Sequence, residues 1–284
     1  EKRFTCVSRC RRFGKSMAAR MLCAYYDKSC DSRELFRGLE IEKHPSFGEH
    51  LNKYPVIYVD MTDFVSKYHG ERSIVEIIQR TLIEDISEVY VDVAVKQTDD
   101  LMDYLLRIAN AKGDQFFFII DEWDAICREF EGNTQAMGEY VNLLRRMFKS
   151  SSASRVFAGV YMTGIFPIKK YKTESALNNF REYSVIDPKG LAGYFGFTKD
   201  EVRMLCERHG MAFEDMVKWY DGYSIGVEPS MFNPNSVMEA IAAKYCKSFW
   251  SSTGSFDAVA RYIQMDYEGL QGDISYMLAG GSCT

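Results

Sequence analysis

Apolar residues in the first two-thirds of the chain follow two alternating patterns. Short continuous apolar runs, typical of strands covered on both faces, alternate with stretches in which apolar residues recur every three or four positions, as on one face of a helix. The strand-like runs are 4–8, 55–60, 116–120, 156–162 and 182–186. Because strands separated by helices favour right-handed crossovers, the pattern predicts an α/β fold with a parallel sheet flanked by helices.

Helical spacing covers the segments between these runs and changes the picture near residue 190. Helices are predicted over residues 16–26, 73–89, 99–111 and 134–149. Beyond Asp187-Pro188 the strand pattern is nearly absent, and helices are predicted over 198–209, 212–220 and 235–247. We therefore predict a core over residues 1–190 and a smaller, mostly helical domain, lid-like or winged-helix-like, over 191–284.

Composition excludes several classes of protein. With 46% hydrophobic and 26% charged residues, the 284-residue chain is neither disordered nor a coiled coil. A net charge of −5 gives no global attraction to nucleic acid or anionic membrane, and the apolar run 116–120 is far too short to span a bilayer. Eight cysteines without a C-x2-C pair indicate reduced thiols in a cytoplasmic protein rather than a zinc site. Because the chain begins with Glu1, we expect it to be a piece of a longer protein.

A basic, glycine-containing segment connects the first predicted strand to the first predicted helix. Such a loop directs backbone N–H groups and a helix N-terminus toward phosphate. Lys15 would reach the β- and γ-phosphates and the Ser16 hydroxyl would bind Mg²⁺. The predicted nucleotide-binding residues are Arg9, Arg11, Arg12, Phe13, Gly14, Lys15 and Ser16. Arg9 stands where a phosphate loop normally begins with glycine, so either the loop turns differently or its grip on phosphate is weaker; a basic surface turn is the alternative.

Two acids follow the most apolar strand. Asp121 would hold Mg²⁺, often through water, and Glu122 would act as the general base on the attacking water. The alternative is that both are surface acids at the end of a buried strand. Thr163 ends the next predicted strand, where a polar residue can sense the γ-phosphate, although threonine also ends strands without a function. Asp60 ends the second strand and either faces the site or caps a helix.

These motifs resemble those of the AAA-ATPase-like family. The loop is similar to the family's R-P-R-R-F-G-K-S, with Cys10 in place of proline, and Asp121–Asp124 is similar to its D-E-Y-D. The other similar segments are Met162–Ile165, Leu177–Phe180, Phe195–Thr198, Glu201–Val202, Trp219–Tyr223, Phe232–Ser236, Trp250 and Thr253–Gly254. The resemblance implies a P-loop ATPase that uses ATP and Mg²⁺, and it makes Arg9 an expected feature. Family members often continue into a PD-(D/E)XK nuclease-like region, which would begin where this chain stops.

Several features of the sequence allow more than one interpretation. Trp219–Tyr223 is interpreted as a packed turn rather than a base-stacking surface. Lys169, Lys170 and Lys172 form a basic cluster typical of a solvated loop, and Arg203 or Arg208 is a candidate to reach the γ-phosphate.

Three functions follow from the sequence. The leading hypothesis is a Mg²⁺-dependent ATP-binding and ATP-hydrolysing module that acts as a nucleotide-controlled switch. The alternatives are a non-catalytic nucleotide-binding scaffold for protein interaction and the ATPase part of a nuclease-linked protein that processes nucleic acid. Nucleotide is the expected ligand, no membrane is involved, a protein partner or self-association remains open, and nucleic acid would bind only through the missing C-terminal region.

Overall fold

The computed structural model describes residues 3–68, 73–130, 132–168, 177–226 and 228–249, together with Gly272 and Tyr276. The strands are numbered in chain order: β1 Phe4–Ser8, β2 Val56–Asp60, β3 Phe116–Asp121, β4 Phe157–Gly164, β5 Arg181–Tyr183, β6 Phe197–Thr198, β7 Tyr223–Ile225 and β8 Glu228–Phe232. The helices are α1 Lys15–Tyr26, α2 Phe47–His50, α3 Met61–Lys67, α4 Ile74–Val89, α5 Leu101–Lys112, α6 Ala125–Glu129, α7 Thr134–Phe148, α8 Ala153–Val156, α9 Lys199–His209, α10 Phe213–Tyr220 and α11 Pro234–Ala243.

The first five strands form one sheet in the order β2-β3-β4-β1-β5. Every pair in it is parallel, and the register aligns Asp60 with Asp121 and Ser8 with Gly164. The predicted α/β fold with a parallel sheet is therefore confirmed, and it is consistent with a P-loop NTPase-like fold. Since the strands are parallel, the residues that end β1, β3 and β4 all lie at one edge of the sheet, which is where the loop and acid motifs meet.

Aromatic packing holds the centre of this sheet to the helices on one face. The Phe148 ring at the end of α7 contacts the rings of Phe4, Phe118, Phe157 and Phe180, with centroids 5.3–6.0 Å apart. Most of these pairs are edge-to-face or tilted, the arrangement that aromatic quadrupoles favour. The residue of β3 that follows Phe118, Ile119, points the other way and packs in a second cluster with Val7 and Ala19, so the apolar run of β3 is covered on both faces, as its sequence predicts.

Helix ends follow the local capping chemistry. The side chains of Ser73, Asp100 and Asn133 accept hydrogen bonds from backbone N–H groups at the starts of α4, α5 and α7. Gly113 ends α5 in the left-handed conformation, with φ at 74°. These caps satisfy donors and acceptors that the helices cannot pair internally, and the predicted bounds of these three helices differ from the observed ones by at most about two residues.

The chain divides into two units, Glu1–Gly196 with Ser224–Pro229, and Phe197–Tyr223 with Ser230–Thr284. Helices α9, α10 and α11 of the second unit pack around Val202, Met216, Phe232 and Val237. The capping box of Thr198 and Glu201 starts α9, as expected where serine or threonine precedes glutamate by three residues.

Two details of the C-terminal third differ from what its sequence pattern indicates. Strand structure is present there, because β6, β8 and β7 form a three-stranded sheet in which Phe197 pairs with Phe232 in antiparallel register. The sequence of β8, EPSMF, contains proline and serine and has no alternation, so it resembles a turn until its partner is known. The helix predicted over 235–247 ends at Ala243, because Lys244 adopts a left-handed backbone with φ of 64°.

Two further observations concern the chain as far as it is described. In the ranges given above, no helix combines the length and the apolar character that crossing a membrane requires. The seven cysteines within those ranges are free thiols.

Alanine substitutions at Gly159 and Gly138 should change the free energy of unfolding in opposite directions, because only Gly159 is in contact with a neighbouring side chain. A methyl group on Gly159 would lie 2.4 Å from the Phe117 ring, which itself stacks on Tyr26 at 3.8 Å between centroids. Gly159→Ala should therefore lower the free energy of unfolding by about 1–3 kcal/mol through overpacking. Gly138 lies inside α7 with open space around it, so Gly138→Ala should raise that energy by about 0.5–1 kcal/mol.

Urea unfolding followed by circular dichroism measures both changes in the same background. Equal midpoints for Gly159→Ala and the wild-type chain would contradict the packing argument for the β3–β4 pair.

Candidate functional site

The loop between β1 and α1 turns through two left-handed residues. Arg12 has φ of 67° and Gly14 has φ of 85°, and Gly14 directly precedes the first residue of α1. The left-handed positions of the loop are therefore Arg12 and Gly14, and Arg9 is not one of them. The first turn of α1 reads K-S-M-A and carries no acid, which leaves its positive dipole end open to an anion.

Lys15 folds back into this loop. Its side chain is only 3% exposed, and its Nζ donates hydrogen bonds to the backbone oxygens of Arg9 and Cys10, both at 3.1 Å. The same Nζ lies 3.7 Å from Oε1 of Glu122. Burial lowers the pKa of Lys15, and the negative charge of Glu122 is the largest effect that opposes this shift. The loop thus encloses a cation that is held by its own carbonyls and by one acid.

Asp121 lies at the end of β3 and is buried, with 1% of its surface exposed. Its Oδ2 accepts a hydrogen bond from the Tyr58 hydroxyl at 3.1 Å, and its Oδ1 accepts a short one from the Thr163 hydroxyl. Burial, followed by the charge of Asp121, raises the pKa of Tyr58, so this hydroxyl remains a donor. Both carboxylate oxygens are thereby oriented by neighbouring strands, β2 on one side and β4 on the other.

The Thr163 hydroxyl connects the two adjacent acids. It donates to Asp121 and accepts a hydrogen bond from the backbone N–H of Glu122 at 3.2 Å. Thr163 is fully buried, and the backbone N–H of Trp123 donates to its carbonyl at 2.8 Å. A strand-end threonine that serves only to terminate β4 would not require these contacts, which fix the turn after β3.

Glu122 leaves the strand in a left-handed conformation, with φ of 54°. Its carboxylate lies between two cations, because Oε1 faces Lys15 and Oε2 accepts a hydrogen bond from Arg128 at 2.8 Å. One fifth of the side chain is exposed, so solvent reaches the group. The structure thus brings Lys15, Asp121, Glu122 and Thr163 together at one edge of the sheet.

The sequence analysis missed a second ion pair beside these residues. Asp124 is fully buried, and its Oδ1 accepts from Arg128 at 2.5 Å. Its Oδ2 accepts from the backbone N–H groups of Ile165 and Phe166, at 3.2 and 2.9 Å. The spacing of Asp124 and Arg128, four residues apart at the start of a helix, is the signal that would have revealed this pair. Tyr58 gave no signal, because its contact with Asp121 depends on the pairing of β2 with β3.

Arg9 occupies a different position from the one its sequence context suggests. Its guanidinium is buried and donates to the backbone oxygens of Ser8, Tyr183 and Leu191 at 2.9, 2.8 and 3.3 Å. It also lies 5.4 Å from the centre of the Phe195 ring. Burial lowers the pKa of Arg9. A direct phosphate contact by this side chain would require those backbone bonds to break.

The other predicted residues of the loop differ in their exposure. The side chain of Phe13 is buried in the protein, whereas Arg11 and Arg12 are exposed and Ser16 is partly buried at the start of α1. Asp60 acts as a helix cap, because its Oδ1 accepts from the backbone N–H and the hydroxyl of Thr62.

The candidate motifs of the C-terminal third are described separately. Asp221 accepts hydrogen bonds from the hydroxyl of Ser230 at 2.6 Å and from the backbone N–H of Gly222 at 2.8 Å, and the neighbouring Trp219 side chain is half exposed. Arg203 pairs with Asp200 at 3.1 Å and lies over the Phe213 ring. Arg208, the other arginine candidate, is exposed on α9. Six further sequence candidates lie outside the described residues: Lys169, Lys170, Lys172, Trp250, Thr253 and Gly254.

Comparison with known proteins gives one finding. The model of the AAA-ATPase-like family, described as "Predicted AAA-ATPase", matches residues 1–173, which is more than half of the chain and includes the loop, both acids and Thr163. A search among curated proteins gives no match. The chain therefore belongs to the predicted AAA-ATPase family, to which ATP binding and hydrolysis are ascribed in general terms.

Proposed function

We propose that the chain is a Mg²⁺-dependent module that binds and hydrolyses ATP and acts as a nucleotide-controlled switch. The observation that carries this proposal is the buried Lys15 ammonium, held by loop carbonyls and 3.7 Å from the carboxylate of Glu122, which follows β3. A cation kept at a helix N-terminus, with an acid within reach of water beside it, has the charges that phosphoryl transfer requires.

Phosphate binding would exchange the partners of Lys15. Its two hydrogen bonds to neutral carbonyls would be replaced by bonds to phosphate oxygens, which are stronger because both groups are charged. The same movement would take Lys15 away from Glu122, whose Oε1 would then be available to accept a proton from the attacking water. Nucleotide binding and activation of the base would thus be coupled through one ammonium group.

The residues present fit a magnesium ion that is bound largely by phosphate and water. Within the described part of the chain no group of three or more His, Cys, Asp or Glu could hold a metal by itself. Mg²⁺ in nucleotide sites usually takes only one or two protein ligands and keeps several waters. Ser16 and Asp121 would be these ligands, with Asp121 acting through water because Tyr58 and Thr163 already bind both its oxygens. When bound, the ion would neutralise charge that develops on the phosphate oxygens.

A second candidate is a nucleotide-binding scaffold that does not hydrolyse ATP. It is favoured by the two cations that contact the Glu122 carboxylate, because a base neutralised on both sides accepts a proton less readily. The two candidates share the same binding site and differ only in the activity of Glu122.

Replacing Lys15 tests the binding site common to both candidates. Lys15→Ala should abolish ATP binding in calorimetric titration, because it removes the cation that would contact the phosphates. The free energy of unfolding should change by only about 1 kcal/mol, since the lost bonds are offset by relief of a buried charge and Glu122 keeps Arg128 as its partner. Lys28→Ala, which removes an ion pair with Asp114, is the matched control and should bind normally. Equal affinity in the two variants would reject the loop assignment.

Replacing Asp121 tests the metal assignment. Asp121→Asn should weaken Mg-ATP binding by about 10- to 100-fold while ATP binding in excess chelator changes little, because the carboxylate would orient the water bound to the metal. Tyr58→Phe is the control, since it removes one donor to Asp121 but keeps the charge. A loss of the same size with and without Mg²⁺ would indicate a structural role for Asp121 instead.

Replacing Glu122 separates hydrolysis from scaffolding. Glu122→Gln should retain Mg-ATP affinity and lose turnover by about 10²- to 10⁴-fold, the usual contribution of a positioned general base. Phosphate release under single-turnover conditions, with protein in excess over ATP, measures the effect. Turnover at the wild-type rate would remove Glu122 as the base and favour the scaffold.

A further inference from the structure

Arg128 contacts two acids with the two ends of one guanidinium group. Nη2 donates to Oε2 of Glu122 at 2.8 Å, and Nη1 donates to Oδ1 of Asp124 at 2.5 Å. The side chain is 12% exposed, in contrast to Arg146, which also bridges two acids, Asp100 and Asp103, but is 47% exposed. A planar group with a buried acid at one end presents its other end in a fixed direction.

The acid that holds Arg128 is itself fixed. Asp124 is fully buried, and its second oxygen accepts from two consecutive backbone N–H groups in the turn after β4. Burial opposes the charge of Arg128, but Asp124 and Glu122 together raise the pKa of Arg128, so it remains a cation. The guanidinium is thus attached to the backbone of the neighbouring strand through Asp124, and only its contact with Glu122 faces the candidate site.

The two cations beside Glu122, Lys15 and Arg128, differ in which other anion each can contact. Lys15 lies on the loop that would receive phosphate, so it has another anion to contact when nucleotide binds. Arg128 has Asp124, which is fully buried, as its second partner. After Lys15 has moved, the described contacts leave Arg128 as the group that determines the direction of the Glu122 carboxylate, whose backbone is already restricted to φ of 54°.

We propose that Arg128 is the positioning residue for Glu122: by holding Oε2, it keeps Oε1 directed toward the phosphate loop and the attacking water. This inference rests on the proposed function, because it assigns Arg128 a role that acts only through the base. It differs from a structural ion pair, which would contribute to stability alone, and from a direct phosphate contact, which would contribute to ATP affinity.

A double-mutant cycle on the 284-residue chain tests the proposal. Single-turnover hydrolysis of Mg-ATP is measured over a range of protein concentrations for Arg128→Met, Glu122→Gln and the double variant. Arg128→Met should slow the maximal rate by about 10²-fold, the effect of a small misplacement of a catalytic group, with the half-saturating concentration changed less than about threefold. The double variant should be no slower than Glu122→Gln, because Arg128 acts through the group that is already missing.

Two further variants guard against a purely structural explanation. Arg128→Lys should recover part of the rate, because an ammonium can still contact Glu122, although not both acids with one planar group. Arg146→Met, the matched control, should hydrolyse ATP at the wild-type rate. If Arg128→Met unfolds because Asp124 is left buried without its partner, Arg128→Met combined with Asp124→Asn removes both charges and replaces it in the cycle.

The outcomes separate the failure of this inference from that of the proposed function. Wild-type turnover by Glu122→Gln rejects the base itself, and the role of Arg128 falls with it. If Glu122→Gln is slow, the positioning role is overturned by any of three results: Arg128→Met reacts at least as fast as wild type, it loses ATP affinity instead of rate, or its loss adds fully to that of Glu122→Gln. Equal rates in all forms, zero included, overturn it as well.

Discussion

The site is organised around the cost of burying the Lys15 ammonium. An amine removed from water must find acceptors or lose its proton, and burial does lower the pKa of Lys15. The backbone oxygens of Arg9 and Cys10 provide two acceptors, and Glu122 provides the opposite charge. These contacts join the loop, the first residue of α1 and the acid that follows β3. A phosphate group would satisfy the same cation better than the carbonyls do.

Two residues of the site have an energetically unfavourable backbone conformation. Arg12 and Glu122 are both left-handed without being glycine, which costs of the order of 1–3 kcal/mol per residue. For Glu122 the compensation is visible, because its N–H donates to Thr163 and its carboxylate contacts Arg128. The left-handed conformation of Glu122 turns the chain immediately after Asp121, where β3 ends. The two adjacent acids therefore contact different partners because of this turn, and not because side chains alternate along a strand. The turn in the backbone, rather than strand geometry, separates their surroundings.

The strands and helices of the first unit could be predicted from local sequence patterns, whereas contacts between residues distant in sequence could not. The five runs of apolar residues and the helices between them gave the α/β fold, and β1 followed by a loop and α1 was evident from spacing alone. Lys15 and Glu122, 107 positions apart, were assigned to one site in the same way, although their direct ion pair was not predicted. Tyr58 reached Asp121 only through strand pairing. The short strand β8 was missed because its pairing partner, rather than its own pattern, makes it a strand.

The Arg9 side chain binds backbone oxygens inside the protein, unlike the exposed Arg11 and Arg12 of the same loop. Its guanidinium has no carboxylate partner among the described residues, and burial lowers its pKa, so the charge is costly where it lies. The bonds to Tyr183 and Leu191 offset part of this cost and join the start of the loop before α1 to a segment about 180 positions later. The loop is therefore held at its first residue by the bonds of Arg9 and ends where α1 begins at Lys15. A change in the contacts of Lys15 would move the residues between these two points. If the chain is a nucleotide-controlled switch, as proposed, these two bonds of Arg9 would connect a movement of the loop to residues 183–195.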